Sequence, residues 1–121
     1  MGNTLFLSRE PARTANFRNP SADDEPIQMH IADRDLSLLK LKFLIKGDTG
    51  QSVTCTVKHG PDITLAGTEI ETGGFTITAN STPETFNAPF SSGDFAEDDI
   101  LWAEISSVAG NVESFSITAS F

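Results

Sequence analysis

From His59 to Phe121 the chain contains no lysine and no arginine. That stretch carries ten acids (Asp62, Glu69, Glu71, Glu84, Asp94, Glu97, Asp98, Asp99, Glu104 and Glu113), and the whole chain balances 17 acids against 8 basic residues for a net charge of −9. Binding to a phosphate backbone depends on Lys and Arg releasing counterions, so nucleic acid is excluded as an expected partner. Cysteine is almost missing too. The single Cys55 rules out an intrachain disulfide, leaves stability to packing or assembly, and suits a reducing cytoplasm. Long apolar runs are absent: "MGNTLFLSRE" has one three-residue run, too short for the apolar region of a secretory signal, and no segment approaches bilayer-spanning length. No membrane partner is expected. The "MGNTLF" start departs from a myristoylation pattern, because Phe6 stands where Ser or Thr is wanted.

What is present is apolar material in alternation. Hydrophobic residues make up 38% of 121 positions, with nine Phe and one Trp, enough for one modest core but lean for a monomer. Residues 1–26 stand apart: they hold Pro11, Pro20 and Pro26, the arginines Arg9, Arg13 and Arg18, and the turn-rich "RNPSADDEP", with no sustained periodicity. An extended N-terminal arm over 1–26 is expected; fully stretched it reaches about 85 Å at ~3.3 Å per residue.

From Ile27 onward the period is two, broken by turn residues about every ten positions, which predicts an all-β domain over 27–121. "IQMHI" places Ile27, Met29 and Ile31 on one side. "LLKLKFLIK" places Leu39, Leu41, Phe43 and Ile45 opposite Lys40, Lys42 and Lys46. After the tight turn "GDTGQ", "SVTCTVKHG" turns Val53, Cys55 and Val57 inward, and the two strands are predicted to form a hairpin. "FTITA" gives another strand, while Pro83 and Pro89 demote "STPETFNAPF" to an edge. In the final "SFSITASF", Phe115, Ile117, Ala119 and Phe121 face one way. About eight antiparallel strands in a jelly-roll-like sandwich are expected, the absence of a Cys pair and of tyrosine arguing against an immunoglobulin-like one. The pattern does not order the strands, and it contains no internal repeat.

Four clusters bear on chemistry. "HIADRD" groups His30, Asp33 and Asp35, and "HGPD" offers His59 and Asp62, but acids between strands ordinarily cap turn amides, so no metal site is expected. Cys55, between Val53 and Val57, reads as a core thiol rather than a nucleophile. The acids Asp94 and Glu97 to Asp99 lack the spacing of a calcium loop. No Ser-His-Asp order, phosphate-cradling loop or zinc motif is seen, so no enzymatic activity and no cofactor are expected. Trp102 alternates with Ile100 and Glu104; its facing is open between core, interface and a sugar-stacking surface. In the arm, Leu5, Phe6, Leu7, Arg9, Arg13, Phe17 and Arg18 combine the aromatic, aliphatic and arginine side chains that interfaces use as anchors.

The phrases "VKHGPD", "GTEIETGG" and "ILWAEISSVAGNVESFSITASF", spanning residues 53 to 121, resemble small structural proteins of tailed bacteriophages, in which a Thr- and Ser-rich sheet ends in a "WxEI"-like segment, a "V-x-G" turn and a last strand. The resemblance implies a virion component, most often a head-decoration (cement) protein or a fibre or tail accessory. On that reading the protein is assembled in the host cytoplasm, sits on the capsid exterior as a dimer or trimer, and contacts the major capsid protein through its arm. A carbohydrate-binding sandwich of a phage fibre, using Trp102 or an exposed Phe, is the alternative.

Overall fold

A computed structural model describes residues 11–78 and 82–121. It is all-β. Eleven strands are described: β1 (Arg13–Arg18), β2 (Ile27–Ile31), β3 (Leu36–Ser37), β4 (Lys40–Gly47), β5 (Ser52–Gly60), β6 (Thr68–Glu69), β7 (Phe75–Thr78), β8 (Glu84–Asn87), β9 (Asp94–Phe95), β10 (Ile100–Ala109) and β11 (Val112–Ser120). Three of these, β3, β6 and β9, are two-residue pieces, which leaves eight longer ones.

The longer strands divide between two antiparallel sheets, neither closed. One has the order β1-β11-β4-β8; the other runs β2-β10-β5-β6, with β7 also pairing β5. The pairing is nested. Among the eight longer strands the first pairs with the last (Phe17 opposite Phe115), the second with the seventh (Ala103 opposite Ile27), the third with the sixth (Leu41 opposite Phe86) and the fourth with the fifth (Val53 opposite Ile77). Strand β8 is an edge, as its two flanking prolines predict.

Alternation builds the core between the sheets, an arrangement compatible with a sandwich. Leu41, Phe43 and Ile45 of β4 and Phe115, Ile117 and Ala119 of β11 are buried on one side; Val53, Cys55 and Val57 of β5 and Leu101, Ala103 and Ile105 of β10 are buried on the other. Phe43 crosses the gap to Phe75, with ring centroids 4.9 Å apart, and meets the edge of Phe86 at 5.6 Å. Phe43 and Phe75, both buried, each contribute about 1.5–3 kcal/mol relative to exposure, and the half-buried Phe86 less. The outer faces are polar, with cross-strand hydroxyl pairs such as Thr14 with Thr118 (3.2 Å) and Thr54 with Thr76 (3.1 Å).

Several expectations are corrected. Strands β4 and β5 do not form a hairpin: β4 pairs β11 and β8, whereas β5 pairs β10, β6 and β7, so the turn at 48–51 carries the chain from one sheet to the other. Their apolar sides face each other across the core, which satisfies the same alternation as side-by-side pairing. Leu39 is 54% exposed and Leu38 is buried in its place, because strand alternation begins only at Lys40. In β2 the register slips where Leu101 faces His30 and Trp102 faces Gln28, skipping Met29; this bulge buries Met29 and leaves Ile31 exposed.

The arm is also revised over part of its length. Arg13–Arg18 is an edge strand zipped along β11, and Ala15 and Phe17 are buried in the shared core. Pro11 and Pro20 flank it closely, leaving six residues whose alternation is short enough to pass for irregular chain. Replacing Phe17 with Ala is expected to lower the unfolding free energy by roughly 3–5 kcal/mol, while Leu44→Ala on the outer face changes it by less than about 1 kcal/mol. Urea denaturation checks this; equal effects would place Phe17 outside the core.

Candidate functional site

The predicted binding residues of the arm do not form one surface. Leu5, Phe6, Leu7 and Arg9 lie outside the described residues. Phe17 faces the core, 6.2 Å from the ring of Phe115, so it is not an exposed anchor. Arg13 shares that inward side at the end of the strand, where its Nε donates to His30 Nδ1 at 3.1 Å. Arg18 is exposed opposite Ser114.

Trp102 lies on the outer face of the five-stranded sheet, opposite Lys58, yet has no exposed surface. The segment between β5 and β6 covers it: a Cβ on Gly67 would sit 2.5 Å from two ring carbons, and one on Gly60 would be 3.5 Å away. Its Nε1 donates to Glu104 Oε2 at 2.6 Å, and Glu104 in turn pairs with Lys58 at 3.2 Å. The ring is therefore closed to a stacking sugar.

Cys55 is wholly buried, and desolvation pushes its thiol up to about 12. Asp62 behaves as a turn residue; the Thr64 hydroxyl (2.6 Å) and then the Thr64 amide (2.9 Å) hold its carboxyl below the ordinary value. Asp35 accepts from the Glu97 amide at 3.1 Å, again a turn contact. His30 and His59 are connected by a chain of ring contacts: His30 lies 5.5 Å from Phe121, Phe121 5.9 Å from Phe95, and Phe95 5.0 Å from His59. Among the described residues no three His, Cys, Asp or Glu side chains converge as metal ligands do.

The constellation that does converge is Ser92, His59 and Asp99. His59 ends the inward row of β5, Ser92 lies in the loop between β8 and β9, and Asp99 sits in the turn before β10. His59 Nδ1 is 3.0 Å from Asp99 Oδ2, and His59 Nε2 is 3.1 Å from Ser92 Oγ. An ionised carboxylate only accepts, so Nδ1 carries a proton toward Asp99; in the neutral imidazole Nε2 then accepts from the Ser92 hydroxyl. The His59 side chain is 11% exposed, with the Phe95 ring edge-on against it.

Backbone bonds fix each member. The Ser92 amide donates to the Ile70 carbonyl (2.9 Å), the Asp99 amide to the Ala96 carbonyl (3.0 Å), and the Asp99 carbonyl accepts from Ala32 (2.8 Å). Beside Ser92 runs a groove of about 410 Å³ whose walls include Leu39, Pro89 and Phe90. The trio has no local motif, because its chain order is His, Ser, Asp; His59 at a strand end and Asp99 in the acidic turn stand out separately in the sequence, and Ser92 does not.

Comparisons of the chain with protein-family models, curated proteins and solved structures return no match.

Two outcomes test the burial described here. Gly67 has φ of +71° and no room for a methyl group, so Gly67→Ala is expected to destabilise the fold by roughly 2–4 kcal/mol and to red-shift the emission of Trp102. For Cys55, folding keeps the thiol neutral while the unfolded chain loses its proton above the ordinary value of 9.0, so stability falls as pH rises from about 9 toward 12. The slope is about 1.4 kcal/mol per pH unit. A Cys55→Val variant lacks that decline, which denaturation at pH 8, 9 and 10 would reveal.

Proposed function

We propose that this chain is a structural component of a tailed-bacteriophage particle, a decoration protein on the outer surface of the head that stabilises contacts between major capsid protein subunits. The observation that carries the reading is the nested strand pairing. We read its eight longer strands, ordered first-eighth-third-sixth and second-seventh-fourth-fifth, as a jelly roll, a double-sheet architecture used repeatedly in viral shells. Composition adds to it: a net charge of −9 suits the outside of a shell better than contact with packaged DNA.

The arm is reinterpreted rather than abandoned. With Arg13–Arg18 zipped to β11, the residues that remain to reach a neighbour are those before β1, including Leu5, Phe6, Leu7 and Arg9. Arg18, on the outer face, lies at the opposite end of β1 from that segment and is not part of it. Many copies, as dimers or trimers, would multiply weak contacts on a repetitive surface. The outer face of the four-stranded sheet bears Thr14, Asn16, Ser116 and Thr118, so contacts between copies would be polar there. The sugar-binding alternative loses its main residue with the burial of Trp102.

Deleting residues 1–12 is expected to leave both sheets folded and to abolish binding to purified capsids in a sedimentation assay. Undiminished binding would remove the role of the segment, and absence of the protein from purified particles would reject the placement altogether.

A further inference from the structure

Ser92, His59 and Asp99 have the geometry of an activated nucleophile, and the structural role proposed above makes no use of it. Both imidazole nitrogens are engaged at 3.0 and 3.1 Å, one by a carboxylate and the other by a hydroxyl, which is the arrangement by which a serine is deprotonated during attack. Such a trio is recognised by geometry and roles rather than by chain order. A histidine buried only to satisfy its nitrogens would not need its hydroxyl partner on the wall of a groove. Here Ser92 lines one, while Asp99 holds the far nitrogen from behind.

We propose that Ser92 is a nucleophile toward neutral esters with a short apolar acyl group, with His59 as its general base and Asp99 as a positioning residue. The substrate class follows from the groove. Leu39, Pro89 and Phe90 offer apolar walls, about 410 Å³ holds a chain of a few carbons, and Asp94 on the same lining repels an anionic substrate. Ser92 Oγ attacks the carbonyl carbon as its proton passes to His59 Nε2. The carbon–oxygen bond to the alcohol then breaks, and His59 returns the proton to the departing alkoxide, leaving Ser92 acylated. Water next attacks the acyl carbon and gives a proton to His59; collapse releases the carboxylic acid and returns the proton to Ser92 Oγ.

The same structure sets the speed. The Ser92 amide is committed to the Ile70 carbonyl and the Ser91 amide to Glu71 Oε1, both at 2.9 Å, so neither amide is placed to receive the oxyanion. Loss of one such donor costs about 10²–10³ in rate. The site therefore reacts with activated acyl and phosphonyl groups and turns over slowly.

The test treats the full chain with a fluorophosphonate probe, where Ser92 Oγ displaces fluoride and His59 takes the proton, followed by intact-mass measurement and peptide mapping. One adduct on Ser92 is expected, with p-nitrophenyl butyrate giving a matching single-turnover release of p-nitrophenol. In His59→Gln, checked for folding by Trp102 emission, labelling slows by at least about 100-fold. No adduct on the native chain, or an adduct on a different serine, overturns the proposal even where His59→Gln fails to fold. Equal labelling rates in folded His59→Gln and the native chain overturn it as well.

Discussion

Phe43 of one sheet meets Phe75 of the other at 4.9 Å, and around that contact lies the constraint on which everything else depends: each sheet has one apolar side, and the opposite sheet, with connecting residues such as Leu38, Ile70 and Phe95, covers it. No disulfide shares the task, since Cys55 is itself a buried, unpaired core side chain. The hydrophobic effect is not directional, so it alone would accept many pairings. Backbone hydrogen bonding selects among them, because every buried strand must find a ladder partner. The solution adopted pairs segments far apart in the chain, such as Arg13 with Ala119.

That choice has a consequence for chemistry. Here the outer segments of the chain pair with each other and the inner ones likewise, and the longer strands cross from sheet to sheet at every step except from β5 to β7, so the connections gather at the ends. His59 at the end of β5, Ser92 after β8 and Asp99 before β10 are brought within hydrogen-bond distance in this way. Residues separated by 40 and 33 positions thereby form one unit. Backbone bonds between connecting segments, from Ser92 to Ile70 and from Asp99 to Ala96 and Ala32, hold it.

Bulges decide the remaining details. The slip at Leu101 and Trp102 rotates β2 so that Met29 enters the core and Ile31 leaves it. A second slip between Ile105 and Ser107 shifts the phase of the inward row of β10, so that it resumes at Val108, opposite Val53 and against the core. Trp102 shows a related limit of alternation: it lies on the outer side, as its grouping with Glu104 indicates, yet the loop that leaves β5 after Gly60 and contains Gly67 buries it. Side-of-sheet and burial are different properties wherever a loop folds back.

By itself, the amino-acid order determined the β class, the inward sets of β4, β5 and β11, the edge character of β8 and the inert setting of Cys55. Those are local properties: period two, proline's missing donor and the burial of a small apolar side chain follow from neighbours in the chain. Tertiary structure alone decided that β4 and β5 lie in different sheets, that Arg13–Arg18 is a strand and not free chain, and that Ser92, His59 and Asp99 meet. Alternation states which side of a strand is apolar but not which strand lies beside it, so properties that depend on the partner had no sign along the chain.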